Sequence, residues 1–208
     1  MISYLGNSII FISLVLTITF YLNLLRKIIP STTLSIKLIY SINLIPFGLL
    51  VYAFSISDFT LLNVVENSYI DDPIFYKVTS AWGSHEGSIL LWVFLINLFG
   101  VFFLNKNQTV EIHKNILFIS SLFILYVLIS SNPFTYVEAN ENILGLGLNP
   151  ILQHVLFVIH PPTLFLGYIG LIIPFVISAH MLVNKNFSEK LFKEMLIWSK
   201  ISWFFLTG

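Results

Sequence analysis

Cysteine is absent from the 208-residue sequence, which removes disulfides, thiolate metal ligands and cysteine nucleophiles together. Charge is nearly as scarce. Asp, Glu, Lys and Arg make up 10% of the residues, against about 25% in an average soluble domain, too few to cover a water-exposed surface. Lys+Arg and Asp+Glu number 10 each, so the formal net charge is zero and no basic face exists for nucleic acid. Methionine is rare as well, and Met1, Met181 and Met195 form no cluster that would suggest copper. The opening MISYLGNSII carries neither a basic region nor an Arg- and Ser-rich presequence, so the first apolar run is expected to be retained. What remains is apolar: 57% hydrophobic and 16% aromatic residues, with mean hydropathy +0.90. Such a chain does not stay disordered. It reads as an all-α, polytopic integral membrane helix bundle.

A spanning helix needs about 20 mostly apolar residues. Five complete transmembrane helices are expected, over about 6–25, 38–57, 88–104, 116–132 and 155–183, plus a truncated or split sixth from Met195 onward that is too short to cross. Residues 1–208 form one membrane domain on this reading, with no internal repeat. Segments after spans one, three and five hold Arg26, Lys27, Lys37, Lys106, Lys114, Lys185, Lys190 and Lys193. Those after spans two and four hold only Lys77, against Asp58, Glu66, Asp71, Asp72, Glu86, Glu138 and Glu141. Basic loops stay on the side of insertion, so the amino terminus and both acidic loops are expected to face the periplasm or intermembrane space. Basic residues are nine Lys to one Arg in a chain rich in Ile, Asn, Phe and Tyr. That bias suggests an AT-rich, organellar gene, hence the mitochondrial inner membrane, with a bacterial cytoplasmic membrane as the alternative.

Polar groups at membrane depth usually mark function, and spans one to four show no Asp, Glu, Lys, Arg or His at mid-depth. The informative residues lie at the outward ends of spans three and five. Trp82-Gly83-Ser84-His85-Glu86-Gly87-Ser88 leads into the third span, with Ser84 or Ser88 as its candidate cap. This cluster reads either as an interfacial turn with an aromatic belt or as a polar site shaped by His85 and Glu86. Before the fifth span, Gly145 and Gly147 lack the strand that a nucleotide-binding turn requires. Pro161-Pro162 fits best in a first turn, which would leave His160 on a non-helical lip. An imidazole there is either a hydrogen-bonded interfacial residue or an axial ligand of haem iron. His113 is expected to be solvated in an inner loop, and His180 to snorkel or cap a helix.

The tracts WGSHEGSILLW (82–92) and GLNPILQHVLFVIHPPTLFLGYIG (147–170) resemble those of the cytochrome c-type biogenesis protein CcmF family, the membrane subunit of the haem lyase. Close rivals are paralogues such as the nitrite-reductase haem lyase subunit. The resemblance covers most of the chain from span two onward and corresponds to the amino-terminal part of a longer protein. It implies an outward site for haem, the one cofactor expected. There haem, delivered by a chaperone, is held by a Trp-rich segment flanked by two histidines and joined by thioethers to the CXXCH segment of apocytochrome c. His160 matches the first flanking histidine, which implies a role as axial ligand to the haem iron. His85 and Trp82 lie in the WGxHEG motif and are carried as further haem-binding candidates. A second, membrane-embedded haem of the family has its histidines beyond this chain. The Trp-rich segment is also lacking here, so a partner polypeptide carrying it is implied, unless the sequence is partial. The remaining implied partners are membrane lipid and a thiol-reducing maturation protein. His154 stands where the family usually has an acid followed by proline, which makes it an extra candidate. The expected function is haem attachment during c-type cytochrome maturation, as a subunit inactive alone. The alternatives are a haem or ion transporter, or a structural subunit of a respiratory complex. A transporter would show broken helices with paired polar groups at mid-membrane, which spans one to four are not expected to have.

Overall fold

The computed structural model describes residues 1–26, 33–104, 110–138 and 143–207. Within them the regular structure is helical, apart from one isolated bridge between Leu61 and Tyr136. Five segments are long and apolar enough to cross a bilayer: Ile2–Arg26, Leu34–Ser55, His85–Leu104, Val110–Ser130 and Val158–Asn184. These are the five expected spans, with ends shifted by up to two helical turns. Helix α1 (Ile2–Arg26) lies along α7 (Val110–Ser130), and α7 lies along α6 (His85–Leu104). Ile10, Leu14, Ile124 and Val127 are buried between them, while Phe11, Val15, Tyr126 and Ile129 on the same helices stay exposed. A helix apolar all round fits a lipid-facing side and a core-facing side.

The second span is two helices, α2 (Thr33–Ile42) and α3 (Ile45–Ser55), interrupted at Asn43 and Leu44. Pro46 has no N–H to return to the Ile42 carbonyl, so the intrahelical ladder breaks there. Asn43 is 1% exposed. Its Nδ2 donates to Thr17 Oγ1 of α1 and to Asn97 Oδ1 of α6, each at 3.0 Å. Asn97 Nδ2 in turn donates to Val93 O at 2.7 Å and to Ser120 Oγ of α7 at 2.8 Å. The expectation that spans one to four lack a broken helix and paired polar groups is therefore corrected. Asn, Thr and Ser carry no charge, and a search confined to titratable residues passes over them.

Two short helices, α4 (Leu62–Asn67) and α5 (Ile74–Gly83), cover the end of the bundle that carries the acidic loops. The segments after α7 return to them. Leu62 N donates to Thr135 O at 2.9 Å, Val137 N to Thr60 O at 3.0 Å, and Leu146 N to Val65 O at 2.8 Å. Gly145 and Gly147 have φ of 84° and 87°, and a Cβ at Gly145 would collide with the Ser68 carbonyl. Their glycine identity serves this close return and not a phosphate.

The fifth span is α8 (Val155–Gly170) and α9 (Ile172–Asn184), joined at Leu171. Pro174 withholds the N–H that would reach the Gly170 carbonyl. Helix α10 (Glu189–Thr207) packs along α8, where Gly167 and Gly170 face Leu206 and Ser202 and let the backbones approach. It begins at Glu189 and not at Met195, because the charged first turns are helical too, with Lys193 Nζ 2.7 Å from Glu189 Oε1. At 19 residues it is roughly 28 Å long.

Two histidines are placed differently from expectation. His113 is fully buried, not solvated, because α7 starts at Val110 and turns it inward. Its Nδ1 pairs with the Tyr40 hydroxyl at 3.1 Å, and its ring lies against Phe103. His180 is 6% exposed and neither snorkels nor caps; Asn184 Nδ2 lies 3.1 Å from its Nδ1. Of the charge pattern, Lys27, Lys106 and Glu141 fall outside the described residues.

Candidate functional site

The site grows from the turn between α5 and α6. Ser84 is extended (φ −86°, ψ 159°), and its Oγ accepts from Gly87 N at 3.0 Å, capping α6. Ser88, the other candidate cap, donates from Oγ to the Trp82 carbonyl at 2.7 Å. A Cβ at Gly87 would fall inside the Ala81 carbonyl, so only glycine permits this turn. Trp82 is therefore the penultimate residue of α5 and His85 the first of α6.

Helix α8 starts at Val155, capped by His154, whose Nδ1 accepts from Leu156 N at 3.3 Å. His160 thus lies inside the helix and not on a non-helical lip, and the expected start near Pro161 is corrected. The reason is a side chain remote in sequence. Pro162 has no N–H for the Val158 carbonyl, and Trp82 Nε1 donates to that carbonyl at 3.2 Å. The indole supplies the bond that the proline withholds, and the helix runs through the Pro-Pro pair. Trp82→Phe keeps the ring but leaves Val158 unsatisfied. It is expected to cost about 1 kcal/mol and lower the midpoint of thermal unfolding in detergent, with Trp82→His a partial rescue.

His160 is exposed, and its carbonyl accepts from Thr163 Oγ1 at 2.8 Å. Its imidazole has no hydrogen-bond partner among the described residues. A cavity of about 400 Å³ runs between α8 and α5, lined by Phe75, Trp82, Val158, Ile159, Pro162 and Leu166 among others, and His160 is not one of its lining residues. His85 faces elsewhere. Its Nδ1 is 3.2 Å from Ser131 Oγ, just past the end of α7, and 4.0 Å from Glu86 Oε1. Trp82 is thus brought to α8, whereas no contact joins His85 to His160. Among the described residues no group of three or more His, Asp or Glu could hold a metal ion. The reading from sequence missed the Val158 carbonyl as Trp82's partner. The visible signal was a second proline whose i−4 carbonyl had to find a donor.

The model of the family described as Cytochrome C assembly protein matches residues 82–208, which include both clusters. The chain belongs to that family. It is 40% identical over 157 residues to the cytochrome c-type biogenesis protein CycK of Bradyrhizobium diazoefficiens, covering 73% of this chain and 24% of that protein. With the cytochrome c-type biogenesis protein CcmF of Escherichia coli it shares 35% identity over 167 residues, 77% of this chain and 26% of the relative. The cytochrome c-type biogenesis protein NrfE of Haemophilus influenzae is 36% identical over 166 residues, again 77% and 26%. The solved structure titled Cytochrome c Heme Lyase CcmF superposes with a TM-score of 0.79 at 21% identity, over 99% of this chain and 34% of that one. That likeness shows the fold. The chain spans about a quarter of the length of the curated relatives it matches.

Proposed function

We propose that this chain is the amino-terminal part of a haem lyase for c-type cytochromes, with His160 as axial ligand of the haem on which the lyase acts. The observation that carries the reading is an exposed imidazole with no hydrogen-bond partner among the described residues, on the helix that Trp82 holds together through Pro162. A porphyrin is flat and mostly apolar, and its iron takes a neutral imidazole nitrogen, so the residues present fit the group. Haem, when bound, supplies the vinyl groups that meet cysteine thiols and the iron whose redox state sets their reactivity. The chain's own residues bind and orient. Trp82 keeps α8 helical through Pro162 and so holds His160 at a fixed angle. His85 and Trp82 are the further candidates for contact with haem.

The site is completed by a polypeptide with the Trp-rich segment, on the same chain or another. A haem chaperone, apocytochrome c and a thiol-reducing maturation protein are the remaining partners, and lipid surrounds the spans. The proposed membrane is the mitochondrial inner membrane or, in line with the bacterial relatives, a bacterial cytoplasmic membrane. The amino terminus and the acidic loops face the intermembrane space or periplasm. The broken second span, with its paired amides, favours a transporter. Against it, both Asn43 amide protons and both Asn97 amide protons are spent on protein partners.

The reading is tested by depleting the protein in its own cell and measuring covalently bound haem in c-type cytochromes. A fall is expected, and unchanged haem with a changed solute flux would favour the transporter. His85→Ala is expected to lower maturation several-fold and leave haem on the purified protein. Complete loss of haem in that variant would make His85 a ligand.

A further inference from the structure

A second pocket lies at the acidic end, under α4 and away from the apolar cavity. It has a volume of about 150 Å³, with Asn63, Glu66, Glu86, Ser130 and Asn132 among its lining residues. Its carboxylates differ from Asp58 and Asp72 at the same end of the bundle. Asp58 is held by Thr60, through N at 3.1 Å and Oγ1 at 2.6 Å, and Asp72 by Tyr69 N at 2.8 Å. Lys77, the one basic residue of these loops, donates to the Ile70 carbonyl. Glu66 and Glu86 therefore have no Lys or Arg partner among the described residues, and Glu86 has only His85 at 4.0 Å. A second observation is independent of charge. Asn63 is 4% exposed, and its Nδ2 has no hydrogen-bond partner, although its Oδ1 accepts from Asn67 Nδ2 at 3.0 Å. A buried amide donor without an acceptor is costly unless a ligand supplies one.

We propose that this pocket receives a lysine or arginine side chain of a partner polypeptide, with an adjoining backbone carbonyl of that partner accepting from Asn63 Nδ2. The two carboxylates ask for a cation and the amide asks for an acceptor, and a basic residue within a peptide carries both. The carboxyl end of α7, at Ser130, adds its negative dipole end. The proposal does not rest on haem ligation by His160.

The test is carbodiimide-driven amidation of carboxylates on the full chain in membranes, read residue by residue by mass spectrometry. The probe is Nα-acetyl-arginine methylamide, which has a guanidinium and flanking carbonyls but no amine or carboxylate of its own. Labelling of Glu66 and Glu86 is expected to fall saturably, to about a third at twice the probe's Kd, as 1 + [L]/Kd requires. Labelling of Asp71 and Glu138 stays unchanged. Asn63→Ala and Glu66→Gln should each raise the probe concentration needed to protect Glu86. The neutral citrulline analogue has to be without effect. Equal protection by citrulline, no protection by arginine, or protection by calcium ions alone would each overturn the proposal.

Discussion

His160→Ala is expected to reduce covalent haem attachment to background while the protein remains inserted and folded. Both halves follow from the same geometry. The imidazole has no hydrogen-bond partner among the described residues and lies exposed on α8, so its removal leaves no cavity and no unsatisfied group. Surface changes of this kind usually stay within about 0.5 kcal/mol of neutral. Iron ligation, by contrast, is lost whole when the only imidazole at the position goes. Haem staining of c-type cytochromes measures the first half, and membrane abundance with thermal unfolding measures the second. Added imidazole should restore part of the attachment in His160→Gly, since a free ligand can enter the vacated position. Normal holocytochrome in His160→Ala would remove the ligand assignment, and loss of the protein itself would show that His160 is structural.

The second large effect is expected at mid-membrane. Asn97→Leu takes the acceptor from Asn43 Nδ2 and the donor from Ser120, and it breaks the link between the interrupted second span and α6 and α7. Leaving such groups unpaired is expected to cost about 2 kcal/mol. Water cannot help, because Asn43, Asn97 and Ser120 are all 1% exposed or less. The direct Asn43–Asn97 term is smaller, about 1 kcal/mol, as interhelical hydrogen bonds in membranes generally are. A double-mutant cycle with Asn43→Ala and Asn97→Ala in detergent isolates it. Strict additivity, or a higher unfolding temperature in Asn97→Leu, would show that the network holds nothing.

The spans were legible because a bilayer demands long apolar runs, and the Gly, Pro and Trp punctuation of 82–92 and 147–170 identified the family. Other features depended on partners far away in the chain. His113 looked solvated beside Glu111 and Lys114, yet Tyr40 and Phe103 enclose it. The Pro-Pro pair looked like a helix start, yet Trp82, 76 residues away from Val158, supplies the missing donor. The acidic pocket joins Asn63, Glu86 and Asn132 from three separate segments, and no local pattern announces it.

The sequence by itself determined a five-span helical membrane protein of the cytochrome c assembly family, since hydrophobic length and local motifs are properties of contiguous residues. Only the tertiary structure decided that His160 stands exposed on a continuous helix, that the second span breaks around an Asn43–Asn97 clamp, and that an acidic pocket forms apart from the apolar cavity. These outcomes depend on which distant groups satisfy a backbone carbonyl or a buried amide, and such partners are chosen by packing between helices.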